Sequence, residues 1–249
     1  PRLYSEKRSQ LESWLNEKPA HWRGYFDGSL WTNLESPREF VPAEMTADQI
    51  REINAMTHIE NELIDEAVGD VIGFLHSKQW MKNTDIFFTT DHGELQGDFG
   101  LLFKGPYHVN ALMHLPFIWK PAAAANISPA EVASPVGHVD LASTFCAIAG
   151  ITPPDYCEGK PLPVSEDEAV QQEREIVLTE WDSEHGPIDM HLKSIYHRDG
   201  FLCTAYEKSH LYDGTEGELY DMKEDPDQLR NLWSDPGYAS HRAGLTGRL

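Results

Sequence analysis

DIFFTTDHGELQGDFGLLFKGPYHVNALMHLPFIWKP, Asp85 to Pro121, decides how this chain is to be read. An apolar run, Ile86-Phe87-Phe88, stops abruptly at Asp91-His92-Gly93. Three aliphatic or aromatic residues then lead to Lys104 on a Gly105-Pro106 turn, and a second apolar run follows from Leu115 to Trp119. The first run, Asp85 to Thr90, has the composition of a strand buried on both faces. In open α/β sheets, ligands gather at the carboxyl ends of strands, which is where Asp91 and His92 stand. A carboxylate beside an imidazole can ligate one divalent ion, and Gly93 lets the chain turn away at once. Asp-x-Gly is also ordinary turn chemistry. Lys104 adds what a turn does not need, a cation flanked by apolar residues and a tight turn. A metal and an ammonium together make a pocket for a tetrahedral oxyanion.

The pattern extends outward from this stretch. Thr46 and Gln49 have the spacing of a capping box and open a long helix. Ile50, Ile53, Ile59, Leu63, Ala67, Val71 and Leu75 recur at three- and four-residue steps, which predicts one buried helix face. Gly69 and Gly73 are candidate bend positions in it. Pro135 to Gly150 reads as a second helix, with Val139 to Ala149 at its centre, stopped by Gly150 and the prolines at 153 and 154. Helix, strand, loop, strand, helix is the order of an α/β domain with three layers. Residues 1 to 45 read as irregular, apart from a short helical pattern near Gln10 to Asn16. After about Leu162 the pattern changes to short strands: Ile176 to Thr179, a hairpin across Arg198-Asp199-Gly200, and Glu218 to Asp221. Asp225-Pro226 then has the form of a helix start running to about Trp233. The expected division is an α/β portion over 1–162 and a small α+β subdomain with an antiparallel sheet over 163–249.

Composition narrows the function classes. The 249 residues hold 41 Asp and Glu against 20 Lys and Arg, a formal net charge of −21. Such a surface repels phosphate backbones and anionic lipid heads, so neither nucleic acid nor a membrane is an expected partner. No apolar run approaches the 18 or so residues of a membrane span. The three cysteines, Cys146, Cys157 and Cys203, fit no zinc spacing, and their odd number favours a reducing, cytoplasmic compartment. The chain begins at Pro1 with no Met, so the natural N-terminus is expected to lie upstream.

TTDHGE, then G..GL..KG.YH, then a strand beginning Leu115-Pro116, resembles the sulfatases of the alkaline phosphatase superfamily. SPVGHVDLASTFCAIAGITPPDYCEGKPL (Ser134 to Leu162) and GELYDMKEDPDQLRNLWSDP (Gly217 to Pro236) resemble two later sulfatase segments, in the same order. The resemblance covers about Thr46 to Pro236. It implies that Asp91 and His92 are metal ligands, with calcium first and manganese or zinc second. It implies that Lys104 is a catalytic residue that binds the sulfate oxygens, with His108 beside it in substrate binding. Histidine at position 92 is similar to choline and iduronate-type sulfatases and to phosphonate monoester hydrolases. His114 stands where relatives often carry arginine, and it receives no role. The family nucleophile is a formylglycine matured from a Cys/Ser-x-Pro-Ser-Arg motif, and none of the three cysteines lies in one. The chain therefore resembles the C-terminal half of a sulfatase, a sulfuric ester hydrolase. Its expected partners are a small sulfate ester, the missing N-terminal half, and a second copy of itself. A phosphonate monoester or phosphodiester hydrolase is the competing enzyme reading, and a non-catalytic binding module is the reading of another class.

Overall fold

The computed structural model describes residues 8–30, 41–185 and 188–249, so parts of the N-terminal stretch read as irregular, residues 1–7 and 31–40, lie outside the described residues. Two compact units result. One comprises Pro1–Ile127 with Glu184–Asp189, and the other Ser128–Ser183 with Met190–Leu249.

In the first unit, α1 (Arg8–Asn16) and α2 (Ala20–Asp27) form a helical pair where the sequence suggested mostly irregular chain. Together they bury Leu11, Leu15, Trp22, Tyr25 and Phe26. α3 (Ala47–Ser77) starts as expected, with Thr46 and Gln49 completing a reciprocal capping box. Its expected buried face is not buried. Ile50 is covered, but Ile59, Leu63 and Val71 are 53–61 % exposed, as are Met56, Ile64 and Phe74 at similar levels. The periodicity correctly marks one stripe; burial needs an element to lie against it, and none of the described residues does so. β1 (Ile86–Thr89) and β2 (Phe117–Lys120) pair antiparallel, Phe87 opposite Trp119, with those two rings stacked at 5.2 Å. The expectation that β1 is buried on both faces fails for the same reason as in α3. β1 and β2 form a two-stranded sheet, and Phe88 and Ile118 face outward.

The second unit begins with α5 (Val139–Ala149); the short α4 (Asn110–Met113) precedes it in the first unit. Gly150 ends α5 in the left-handed region, φ 67°, a conformation glycine takes without a Cβ clash. The Asp140 carboxylate of α5 accepts from the Gly137 and Lys160 N–H groups and pairs with Arg174 at 2.8 Å. Arg174 in turn donates to the Lys160 and Pro161 carbonyls, so the turn at Gly159 to Leu162 is bound to α5. Both charges of this pair are buried and fully hydrogen-bonded, the condition under which a buried ion pair is tolerated.

After α6 (Glu166–Gln171), β3 (Ile176–His185), β4 (Ile188–His197), β5 (Phe201–Tyr206) and β6 (Gly217–Asp221) form a sheet in that order. β4, β5 and β6 run antiparallel, and Asp199-Gly200 makes the β4–β5 turn with Gly200 at φ 99°. Ile195, Cys203 and Leu219 pack with Leu232 and with Leu245 from α7 (Ala239–Thr246). The helix expected from Asp225 does not form. The Asp225 carboxylate does accept from the Leu229 and Arg230 N–H groups, as a cap would. Gln228, however, takes φ 56°, and Leu232 donates to the Leu219 carbonyl. Asn231 bonds both Leu219 N–H and Gly217 C=O, so the segment runs along β6 instead of coiling.

Candidate active site

The loop between β1 and β2 carries the expected site residues, all in the first unit. Thr90 follows β1 and aims its hydroxyl at the Asp91 carboxylate (3.2 Å) and the His92 carbonyl (3.1 Å). The His92 N–H donates to Asp91 Oδ1 at 3.0 Å, and this bond, with smaller help from the imidazole and Thr90, holds the Asp91 carboxyl below its ordinary pKa. Gly93 is required by close approach. Its N–H donates to the Leu112 carbonyl at 2.9 Å, and a Cβ there would overlap the Ala111 carbonyl oxygen. The chain leaving His92 is thus pinned against α4.

His92 Nδ1 lies 2.8 Å from the Gly93 carbonyl, so that nitrogen carries the proton that it donates. Nε2 lies 3.4 Å from Asp91 Oδ2. Two groups at that separation can share a cation, whether a proton or a metal ion, and a metal-ligating imidazole is commonly held from behind through its other ring nitrogen. Among the described residues no third His, Cys, Asp or Glu joins them.

The segment from Leu95 to His108 holds Lys104 and His108. Gln96, Phe99 and Phe103 all take positive φ, at 48°, 56° and 64°. Three side-chain-bearing residues in the left-handed region cost energy that the surrounding packing has to hold, and such strain concentrates at binding loops. Lys104 follows Phe103 and is half-buried. His108 is buried, and burial pushes its pKa down to about 4, so the ring is neutral at physiological pH. Beneath the loop sit Trp22, Tyr25, Phe99 and Tyr107, with the Lys18 ammonium 4.5 Å from the Phe99 ring and 4.7 Å from Trp22. This support from α1 and α2 had no signal in the sequence, since nothing local ties residues near 20 to residues near 105. The polar stretch from Glu180 lies in β3, where Glu180 pairs with Lys193 at 3.7 Å.

Residues 97–249 match the family described as N-sulphoglucosamine sulphohydrolase, C-terminal. The chain belongs to this sulfatase family. The sulfatase chain is 32% identical over 244 residues to the sulfatase YidJ of Escherichia coli, covering 98% of its own length and 44% of YidJ. It is 26% identical over 235 residues to a Delta 4,5-hexuronate-2-O-sulfatase of Bacteroides thetaiotaomicron, covering 88% of itself and 48% of that protein. In fold it superposes on the phosphonate monoester hydrolase of Agrobacterium radiobacter with a TM-score of 0.69 at 21% identity, over 84% of the sulfatase chain and 42% of the hydrolase. The sulfatase chain thus spans about half the length of the curated relatives it matches.

Proposed function

We propose that this chain supplies metal ligands and the anion-binding lysine of a sulfuric ester hydrolase acting on a sulfated sugar. The observation that carries the reading is the facing pair, Asp91 Oδ2 and His92 Nε2 at 3.4 Å, at the end of β1 in a chain of sulfatase family. A divalent ion, calcium first and manganese or zinc second, would be held partly by these two atoms, and when bound it would act as Lewis acid and template. Lys104 would neutralise charge growing on the sulfate oxygens. His108, neutral and buried, would hold the loop side of the sulfate by hydrogen bonding. The nucleophile, a formylglycine, would come from an N-terminal half of the longer protein.

The reading is tested in the longer protein by comparing kcat/KM on a sugar sulfate, an aryl sulfate and a phosphonate monoester. Preference for sulfate supports it. Preference for the phosphonate favours the competing hydrolase, and no turnover of any of them leaves a binding module. Calcium binding by the chain gives a second check. Asp91→Ala should weaken it by more than the roughly 10–100-fold typical of losing an outer partner of a metal ligand. Titration calorimetry showing equal affinity in that variant removes Asp91 from the site.

The uncovered stripe on α3 supports the same reading. Met56, Ile59, Leu63, Val71 and Phe74 line about 27 Å of one helix face, and a contiguous exposed apolar stripe of this kind is what an interaction surface presents. In this proposal the N-terminal half covers it. The 249 residues alone should bind ANS and self-associate in light scattering, and Leu63→Glu with Val71→Glu should suppress both. A monodisperse chain that leaves ANS dark would mean that the stripe is covered from within.

A further inference from the structure

His21 is the best-buried imidazole of the described residues and lies on α2, 85 residues from the loop it touches. Its Nε2 is 3.2 Å from the Pro106 carbonyl. Proline has no N–H, so this buried carbonyl is the only backbone hydrogen-bonding group at position 106, and a buried carbonyl needs a donor. Burial lowers the His21 pKa to about 3, so the ring stays neutral and keeps one N–H to give. The same ring stacks on Tyr107 at 5.3 Å with an interplanar angle of 18°, while Trp22 and Tyr25 close on Tyr107 at 4.5 and 5.6 Å. On the other side of Lys104, the Phe103 carbonyl accepts from the Leu95 N–H at 3.2 Å. Lys104 therefore sits between two backbone anchors, and His21 provides the second. The turn between them is tight: Tyr107 N–H donates to the Gly105 carbonyl at 2.7 Å, and a Cβ on Gly105 would press on the Tyr107 ring.

We infer that His21 is a positioning residue for Lys104: through the Pro106 carbonyl and the Tyr107 ring it fixes the turn that aims the ammonium at the anion. The inference rests on the sulfatase reading for its catalytic consequence, but not for its effect on the loop. A core histidine that merely fills space would be replaceable by another ring. His21→Phe keeps a ring and removes the donor, leaving the Pro106 carbonyl orphaned; His21→Gln places an amide N–H near the former Nε2. Hydrogen exchange of the chain should show that His21→Phe lowers protection from Gly105 to Val109 by roughly tenfold or more, as expected for losing a buried hydrogen bond. Protection within α1 and α2 should be kept, and His21→Gln should restore the loop. In the longer protein, His21→Phe should lower kcat/KM by roughly tenfold and should cost little further in a Lys104→Ala background, because the two act through one ammonium. If His21→Phe does not fold, His21→Asn, whose shorter amide cannot reach the carbonyl, takes its place in both measurements. Unchanged exchange in the loop overturns the inference, and so does an equal loss of kcat/KM with and without Lys104. A loosened loop in a protein that turns over no sulfate ester would leave the positioning intact and remove the sulfatase reading instead.

Discussion

Lys104→Ala in the longer protein is expected to lower kcat/KM on a sulfate ester by about 100-fold or more, the loss typical of removing one group that stabilises a developing oxyanion. Lys104 is half-buried on a turn held at Phe103 and Pro106, so little solvent screens its charge and little reorganisation is needed when the anion arrives. The loss should be greater on a sugar sulfate than on an activated aryl sulfate, because an alkoxide leaving group carries more charge in the transition state. It should fall mainly on kcat, since an interaction that strengthens in the transition state lowers kcat and kcat/KM together. Lys104→Arg should recover part of the rate, keeping the charge but presenting a wider fork. Steady-state kinetics on both substrates checks this, and unchanged turnover in Lys104→Ala would return the residue to a surface lysine covering apolar chain.

The second large effect is on stability in mild acid. His21 and His108 are buried, and burial lowers their pKa values from 6.5 to about 3 and about 4. For His21 the nearby Lys18 ammonium adds to the same shift. A base whose folded pKa lies below its unfolded value takes up its proton more readily when unfolded. The stability this neutral form contributes is complete above pH 6.5 and is lost as pH falls toward the folded pKa. One unit of pH in that window costs about 1.4 kcal/mol per group, so the two together withdraw about 4 kcal/mol between pH 6.5 and 5. For a chain of this size that is about 8–16 °C in melting temperature. The window stops at pH 5 because carboxylates begin to protonate below it, which relaxes the repulsion of a surface at −21 and acts in the opposite direction. Calorimetry or circular dichroism at pH 7.5 and pH 5 measures the drop, and His21→Gln with His108→Gln should flatten it. A midpoint that stays constant across the range would show that both rings reach solvent in the folded protein.

The sequence by itself determined the features whose causes are local. A capping box forms from Thr46 and Gln49 because both partners lie within one turn of helix. Gly150 ends α5, Asp199-Gly200 turns β4 into β5, and Asp91-His92 follow the last residues of β1, all for reasons carried by neighbouring residues. The Asp-His pairing was legible because adjacent residues after a strand share one loop, and the place of Lys104 on a Gly-Pro turn was legible because glycine and proline mark turns. Only the tertiary structure decided what depends on residues far apart in the chain. It placed His21 under Pro106 and Tyr107, which no spacing announces. It drew the segment after Asp225 along β6, where Asn231 and Leu232 find backbone partners that a helix would have had to supply internally. Among the described residues it left the stripe on α3 uncovered, because periodicity marks the side of a helix that seeks cover, whereas burial requires a second surface to meet it.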